Sequence, residues 1–267
     1  SSAACEVLLG VIENHLFCND ELSPVTIAQM GQKAENLYFV KPSGLMDQTA
    51  SSVGGAVAID FADPADPKVR TVSVDLNALG YALCIIDSGA SHAALTSEYA
   101  SIPQEMGAVA AQFGRQVLRE VDEAQVLQSL PQLREKLGDR AVLRAIHYFE
   151  ENARTLAQRD ALQAGQFAAF AALVLESGRA SFALCQNVYC STDVRHQGLS
   201  VALALSQSIL QGSTGAWRMQ GGGFAGTIQA YVPQSLLERY HSEIERIFGK
   251  GSCYILRLRE QGAVKVI

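Results

Sequence analysis

The sequence has no apolar run long enough to cross a bilayer, no CxxC pair and no excess of basic residues. A helical membrane span needs about 20 apolar residues. The Ala/Leu-rich stretch at 166–176 is shorter and is flanked by charge, so no membrane partner is expected. Lys and Arg number 21 against 27 Asp and Glu, a net charge of −6. Nucleic-acid binding needs a basic face, so a nucleic-acid partner is not expected either. No basic segment followed by an apolar core opens the chain. The six cysteines (Cys5, Cys18, Cys84, Cys185, Cys190, Cys253) are scattered, mostly within apolar segments. They read as free thiols in a reducing cytoplasm.

Several chemistries are also missing. His15, His147, His196 and His241 show no zinc-type spacing with one another or with a cysteine. No nucleophile-elbow pattern supports a Ser/His/Asp hydrolase. Asp193, Arg195 and His196 cluster, but a solvated loop explains them equally well. There is no repeat of 20–50 residues and no low-complexity linker. The 267 residues are 48% hydrophobic and 18% charged, ordinary for one large or two smaller globular domains.

What is present is glycine in two informative places. The first is the run Gly221-Gly222-Gly223-Phe224-Ala225-Gly226. It lies between β-like segments at 216–219 and 227–232. Consecutive glycines reach φ > 0, so several N–H groups can turn into one concavity that suits phosphate oxygens. The run lacks the Lys and Ser/Thr of a P-loop and the spacing of a dinucleotide fingerprint. The second is Pro42-Ser43-Gly44-Leu45-Met46-Asp47-Gln48, which places a carboxylate just after a flexible turn. Asp47 could accept a proton from a substrate hydroxyl or orient it; it could equally be a first-turn Asp favoured by the helix dipole. Glu35, twelve residues earlier, is either a Mg²⁺ ligand or a solvated helix-face residue. Ser2 could add a hydroxyl to the same ion or simply cap a helix. Tyr99 and His92 fall in a polar stretch, 87–99, read as a loop after a buried strand.

Periodicity predicts helices at 3–17, 24–38 with Ser23 as N-cap, 46–52, 102–113, 120–129, 139–163, 166–176, 199–210 and 233–248. Strands are predicted at 56–61, 69–74, 81–87, 216–219, 227–232 and 253–259, with Asp63-Pro64-Ala65-Asp66-Pro67 as a turn. Strands among packed helices read as α+β.

Taken together, these stretches resemble the galactokinases of the GHMP small-molecule kinase superfamily. Ser1-Ser2-Ala3-Ala4 is similar to the end of a GLSSSA phosphate motif. Ala34-Glu35-Asn36 followed by Gly44-Leu45-Met46-Asp47-Gln48 is similar to AE(N/H)…GIMDQ. Arg218 through Gly226 is similar to RMTGGGFGG, with Gln220 and Ala225 as departures, and Ser97-Glu98-Tyr99 is similar to SxY. The resemblance implies a remnant of an N-terminal α/β domain at 1–55 and a ferredoxin-like C-terminal domain at 56–267. It implies phosphorylation of galactose at the 1-hydroxyl by ATP. Asp47 would be the catalytic carboxylate, with Gly44 and Tyr99 also touching the sugar. Ser1, Ser2, Ala3, Gly221, Gly222 and Gly223 would surround the ATP phosphates, and Ser2 and Glu35 would hold Mg²⁺. His92 falls where the family carries a His. The family's first motif, GRVNLIGEHTDY, does not occur, so a chain cut inside a loop, inactive on its own, is expected. The apolar face of helix 3–17 then invites self-association. A non-catalytic galactose/ATP sensor, or a kinase for N-acetylgalactosamine or arabinose, remain the alternatives.

Overall fold

The computed structural model describes residues 2–40, 43–89 and 95–265. The chain packs as two compact units, one formed by 1–75 with 258–267 and the other by 76–257. This packing division differs from the motif-based one at 55/56.

In the first unit, helix α1 (Ser2–Phe17) packs with α2 (Pro24–Tyr38) and α3 (Met46–Val53). The Ser23 hydroxyl accepts from Thr26 N–H at 3.1 Å, and Pro24 sits where a missing N–H costs nothing. Val7, Ile27, Ala28 and Leu45 form the buried seam. A Cβ on Gly31 would come within 3.2 Å of Glu6, so the glycine lets α2 approach the polar side of α1. The hairpin of β1 (Ala56–Asp60) and β2 (Lys68–Val72) follows, antiparallel, around the Asp63–Pro67 turn. The strand expected at 253–259 stops at 256. Beyond it the chain returns to this unit, where Gly55 N–H donates to Arg259 C=O at 2.7 Å.

The second unit opens with β3 (Tyr81–Asp87), as the unbroken apolar run predicts. Helices α4 (Thr96–Ala111), α5 (Glu123–Gln128), α6 (Leu130–Leu137), α7 (Asp139–Gln163) and α8 (Phe167–Ala180) follow. Then come α9 (Gly198–Leu210), β4 (Ala216–Met219), β5 (Thr227–Pro233), α10 (Leu237–Phe248) and β6 (Cys253–Leu256). All sheet pairings are antiparallel, in the order β4-β5-β3-β6. This is the split βαββαβ pattern of a ferredoxin-like domain. Ala82, Cys84 and Ile86 of β3 and Ile228, Ala230 and Val232 of β5 are buried at alternate positions. They meet Leu199, Ala202 and Leu210 of α9 and Tyr240 and Ile244 of α10. A second core joins Val109, Leu118, Val126, Leu133 and Val142 across α4 to α7.

Two expectations are corrected. Tyr99 is not in a loop, because α4 begins at Thr96 and runs through Pro103. The apolar helix expected to stop at 176 runs on through a π-helical turn at Ser181–Cys185, giving 19 continuous residues. That length would suffice for a membrane span, but Phe167, Phe170, Val174 and Ser177 are buried within this unit. The six cysteines are all free thiols, four of them buried and Cys5 exposed.

Candidate functional site

Two clusters gather the residues singled out by sequence, one in each unit. In the first, Gln48 is 1% exposed and its Nε2 donates to both Glu35 Oε2 and Glu6 Oε2, each at 3.2 Å. Three helices thus meet at one amide. Glu35 is buried, not a solvated face residue. Gln48 Oε1 is buried with no hydrogen-bond partner among the described residues. Asp47, one residue before, is exposed in the first turn of α3. Asn36 Oδ1 accepts from Ser43 N–H at 2.7 Å, and Gln32 donates to Ser43 C=O at 3.1 Å. These bonds fix the chain just before Gly44. A Cβ at Gly44 would meet nothing within 4 Å, and its φ is not left-handed. Protein packing therefore does not demand glycine there. Ser2 is exposed on α1, one turn before Glu6, and Ala3 is buried beside it. Ser1 and His92 lie outside the described residues.

The Glu6–Glu35 pair offers only oxygen donors and net negative charge, which suits a hard divalent cation. No group of three or more His, Cys, Asp or Glu side chains forms a metal cage among the described residues. A Mg²⁺ here would thus take one or two protein oxygens and draw the rest from water and phosphate, its usual habit.

The second cluster is the glycine turn between β4 and β5. Gln220 N–H closes the hairpin on Thr227 C=O at 3.0 Å. Gly221 and Gly223 have φ of 75° and 87°, and Phe224 is held at 57°. Phe224 N–H donates to Asn187 C=O at 2.5 Å, and Asn187 Nδ2 donates to Gly222 C=O at 3.1 Å. Tyr99 Oη donates to Gly223 C=O at 2.7 Å, and its ring meets Phe224 edge to face. A Cβ on Gly222 would strike the Tyr99 ring at 2.7 Å, and one on Gly223 would overlap the Asn187 carbonyl. The loop carbonyls are thereby held from behind, while the N–H groups of Gly221, Gly222 and Gly223 make no hydrogen bond among the described residues. Gly221 and Gly222 are exposed. Uncommitted backbone N–H groups of this kind are what an anion-binding turn requires.

The base of the loop is braced. Arg218 donates to Met219 C=O at 3.0 Å and to Glu151 at 3.3 Å. Glu151 also accepts from Ser177 and Arg154. Burial pushes the Glu151 carboxyl up, but Ser177, Arg218 and Arg154 outweigh it and hold it below the ordinary carboxylate range. Burial lowers the pKa of neighbouring His147. Farther back, fully buried Arg144 donates to Cys185 C=O, Ser101 Oγ and Glu105. It ties the segment leading to Asn187 to the helix that carries Tyr99. Sequence reasoning missed Asn187, Arg144 and Glu151, none of which has a local signature. Asp193 accepts from Arg195 N–H, His196 N–H and the His196 ring in an exposed loop.

Residues 1–55 match the family model "GHMP kinases N terminal domain". The chain is 31% identical to a galactokinase of Streptomyces coelicolor over 93% of its own length and 61% of the relative's. It is 32% identical to a galactokinase of Actinobacillus pleuropneumoniae serotype 3, over 89% of this chain and 59% of the relative. The chain therefore spans less than two thirds of the curated relatives it matches. Among solved structures, Lactococcus lactis galactokinase complexed with galactose superposes with a TM-score of 0.73 at 23% identity, over 97% of this chain and 65% of that one. L. major mevalonate kinase in complex with R-mevalonate gives a TM-score of 0.58 at 14% identity, over 99% of this chain and 66% of that one. Motifs, relatives and topology agree: this chain has the α+β GHMP kinase fold and resembles the galactokinases of that superfamily.

Proposed function

We propose that this chain serves ATP-dependent phosphorylation of a sugar at its 1-hydroxyl, with galactose as the sugar. The observation that carries the reading is the glycine turn, whose carbonyls are tied to Tyr99 and Asn187 while three consecutive N–H groups stay uncommitted. In this reading the ATP-phosphate residues are Gly221, Gly222 and Gly223 and, by the motif resemblance, Ser1, Ser2 and Ala3. Gly44 and Tyr99 meet the sugar; the open space beside Gly44 favours close approach of a ligand to backbone.

Asp47 orients the 1-hydroxyl or takes its proton as the sugar oxygen bonds to the γ-phosphorus and the bond to the β-phosphate oxygen breaks, releasing ADP. Ser2 and Glu35 would hold Mg²⁺, which when bound neutralises charge on the phosphates. Residues 1–55 and 56–267 would serve as the two domain parts, in the cytoplasm. The 267 residues alone would turn over poorly, because donors that stabilise a transferring group are worth factors of about a hundred or more, and no counterpart of the family's first motif occurs. Exposed Leu8, Leu9, Leu16 and Phe17 on α1 favour self-association.

Coupled ADP release tests this, on the chain and on the product of the complete reading frame containing it. Galactose-dependent release by the complete product, lost in Asp47→Ala, is expected. Release with N-acetylgalactosamine or arabinose instead would reassign the sugar. Ligand binding without any release would make the protein a sensor.

A further inference from the structure

Helices α8 and α9 both lie on β4, and between them is a cleft of about 450 Å³ that the kinase reading does not use. Phe182 and Trp217 form its aromatic walls, and exposed Ala204 leaves room between them. Arg179 stands at the edge, exposed, with no ion pair or hydrogen bond among the described residues. Its neighbour Glu176 lies within 3.8 Å of Arg154. The side chains of Gln207 and Gln211, also on the cleft, make no hydrogen bond among the described residues. An apolar hollow of this size with a few uncommitted polar groups matches small-molecule sites, which run to about 300–1,000 Å³.

We propose that this cleft binds a small aromatic carboxylate. The two aromatic walls suit a flat ring. The guanidinium is a planar fork that matches a carboxylate with two parallel N–H bonds. A single cation on the cleft fits one negative charge; a di- or triphosphate would require several. The two glutamines would read polar substituents on the ring. The site lies wholly within the second unit and stands whether or not the kinase reading does.

Trp217 is the only tryptophan in the chain, so its indole N–H gives a single amide-region resonance that reports on the cleft. The test titrates the ¹⁵N-labelled chain with benzoate and, separately, with benzamide, its neutral counterpart. Benzoate is expected to shift the indole resonance saturably, with benzamide at least about tenfold weaker. Arg179→Gln should abolish that preference, and Ala204→Phe, which fills the cleft from an exposed position, should block both probes. No saturable shift with millimolar benzoate would overturn the proposal. So would equal binding of the two probes, or a preference that survives Arg179→Gln.

Discussion

The Tyr99 hydroxyl donates to the Gly223 carbonyl at 2.7 Å across 124 residues of sequence. Burial pushes the Tyr99 phenol pKa up, so the group stays a neutral donor. The proposed sugar-side residue is thus joined to the proposed phosphate loop by one bond. Tyr99→Phe keeps the ring against Phe224 and removes the hydroxyl that donates to Gly223. Urea unfolding should show a loss of about 1 kcal/mol. Under the proposed kinase reading, the KM for ATP should rise along with that for the sugar. A change in sugar KM alone would show that the bond does not hold the loop.

The glycines of the two sites should rank sharply when each is replaced by alanine. Gly223 combines φ of 87° with an Asn187 backbone that leaves no room for a Cβ. Its replacement should cost more than about 3 kcal/mol. Gly221 has φ of 75° but open space, so strain alone, about 1–2 kcal/mol, is expected. Gly44 has neither constraint and should change stability by less than about 0.5 kcal/mol. Denaturant midpoints of the three variants give the order directly. A Gly44→Ala chain as unstable as Gly223→Ala would contradict the geometry.

Acid should weaken the second unit in two steps. His147 has a folded pKa below its ordinary 6.5, because burial disfavours the imidazolium. The unfolded chain therefore binds more protons below about pH 6.5, and stability falls as pH drops from there. Glu151 is likewise held below its ordinary 4.5, so its contribution is complete above that value and is lost as pH falls through the folded pKa. Thermal melts from pH 8 to 3 should show both slopes. His147→Gln should flatten the upper one and leave the lower. A stability profile flat between pH 7 and 5 in the unaltered chain would refute the His147 assignment.

Gln48 offers a test of the carboxylate pair. Gln48→Met removes the shared donor from Glu6 and Glu35 and leaves buried Glu35 without that bond. A loss of about 2 kcal/mol is expected. Millimolar Mg²⁺ should raise the variant's melting temperature more than the parent's, because a cation can replace the missing donor between the carboxylates. Equal Mg²⁺ responses would mean that the pair takes no cation.

Where local chemistry decides, the sequence was readable. Ser23-Pro24 sets the start of α2, the unbroken run 81–87 gives β3, and α7 and β4 end where their patterns end. Asp47, Glu35 and the glycine turn drew notice through their motif resemblance, and their proposed roles rest on it. The apolar helix beyond Glu176 was not readable, since Gly178 and Arg179 interrupt the pattern while tertiary packing carries the helix on. Tyr99 was misread as a loop residue because Leu95 gives α4 no side-chain cap. Asn187 is invisible for another reason. Gln186 at φ 53° turns the chain toward a loop 35 residues away, and only the folded partner explains the residue.

Arg144 makes the last prediction. It is fully buried and donates to Cys185 C=O at 3.0 Å, Ser101 Oγ at 2.8 Å and Glu105 at 2.9 Å. Cys185 lies two residues before Asn187, and Ser101 lies two after Tyr99, so one guanidinium sets both contacts that hold the glycine turn. Arg144→Met removes the charge and leaves Glu105 with only Arg140 as an ion-pair partner among the described residues. Losing one partner of a buried pair costs about 3–5 kcal/mol. Arg144→Lys keeps the charge but cannot span three acceptors in a plane, so it should recover less than half. Amide exchange then separates a local role from a general one. In Arg144→Lys, the Phe224 N–H that donates to Asn187 should lose protection, while β3 amides paired with β5 keep theirs. Uniform loss of protection across both would reduce Arg144 to a core residue with no particular hold on the loop.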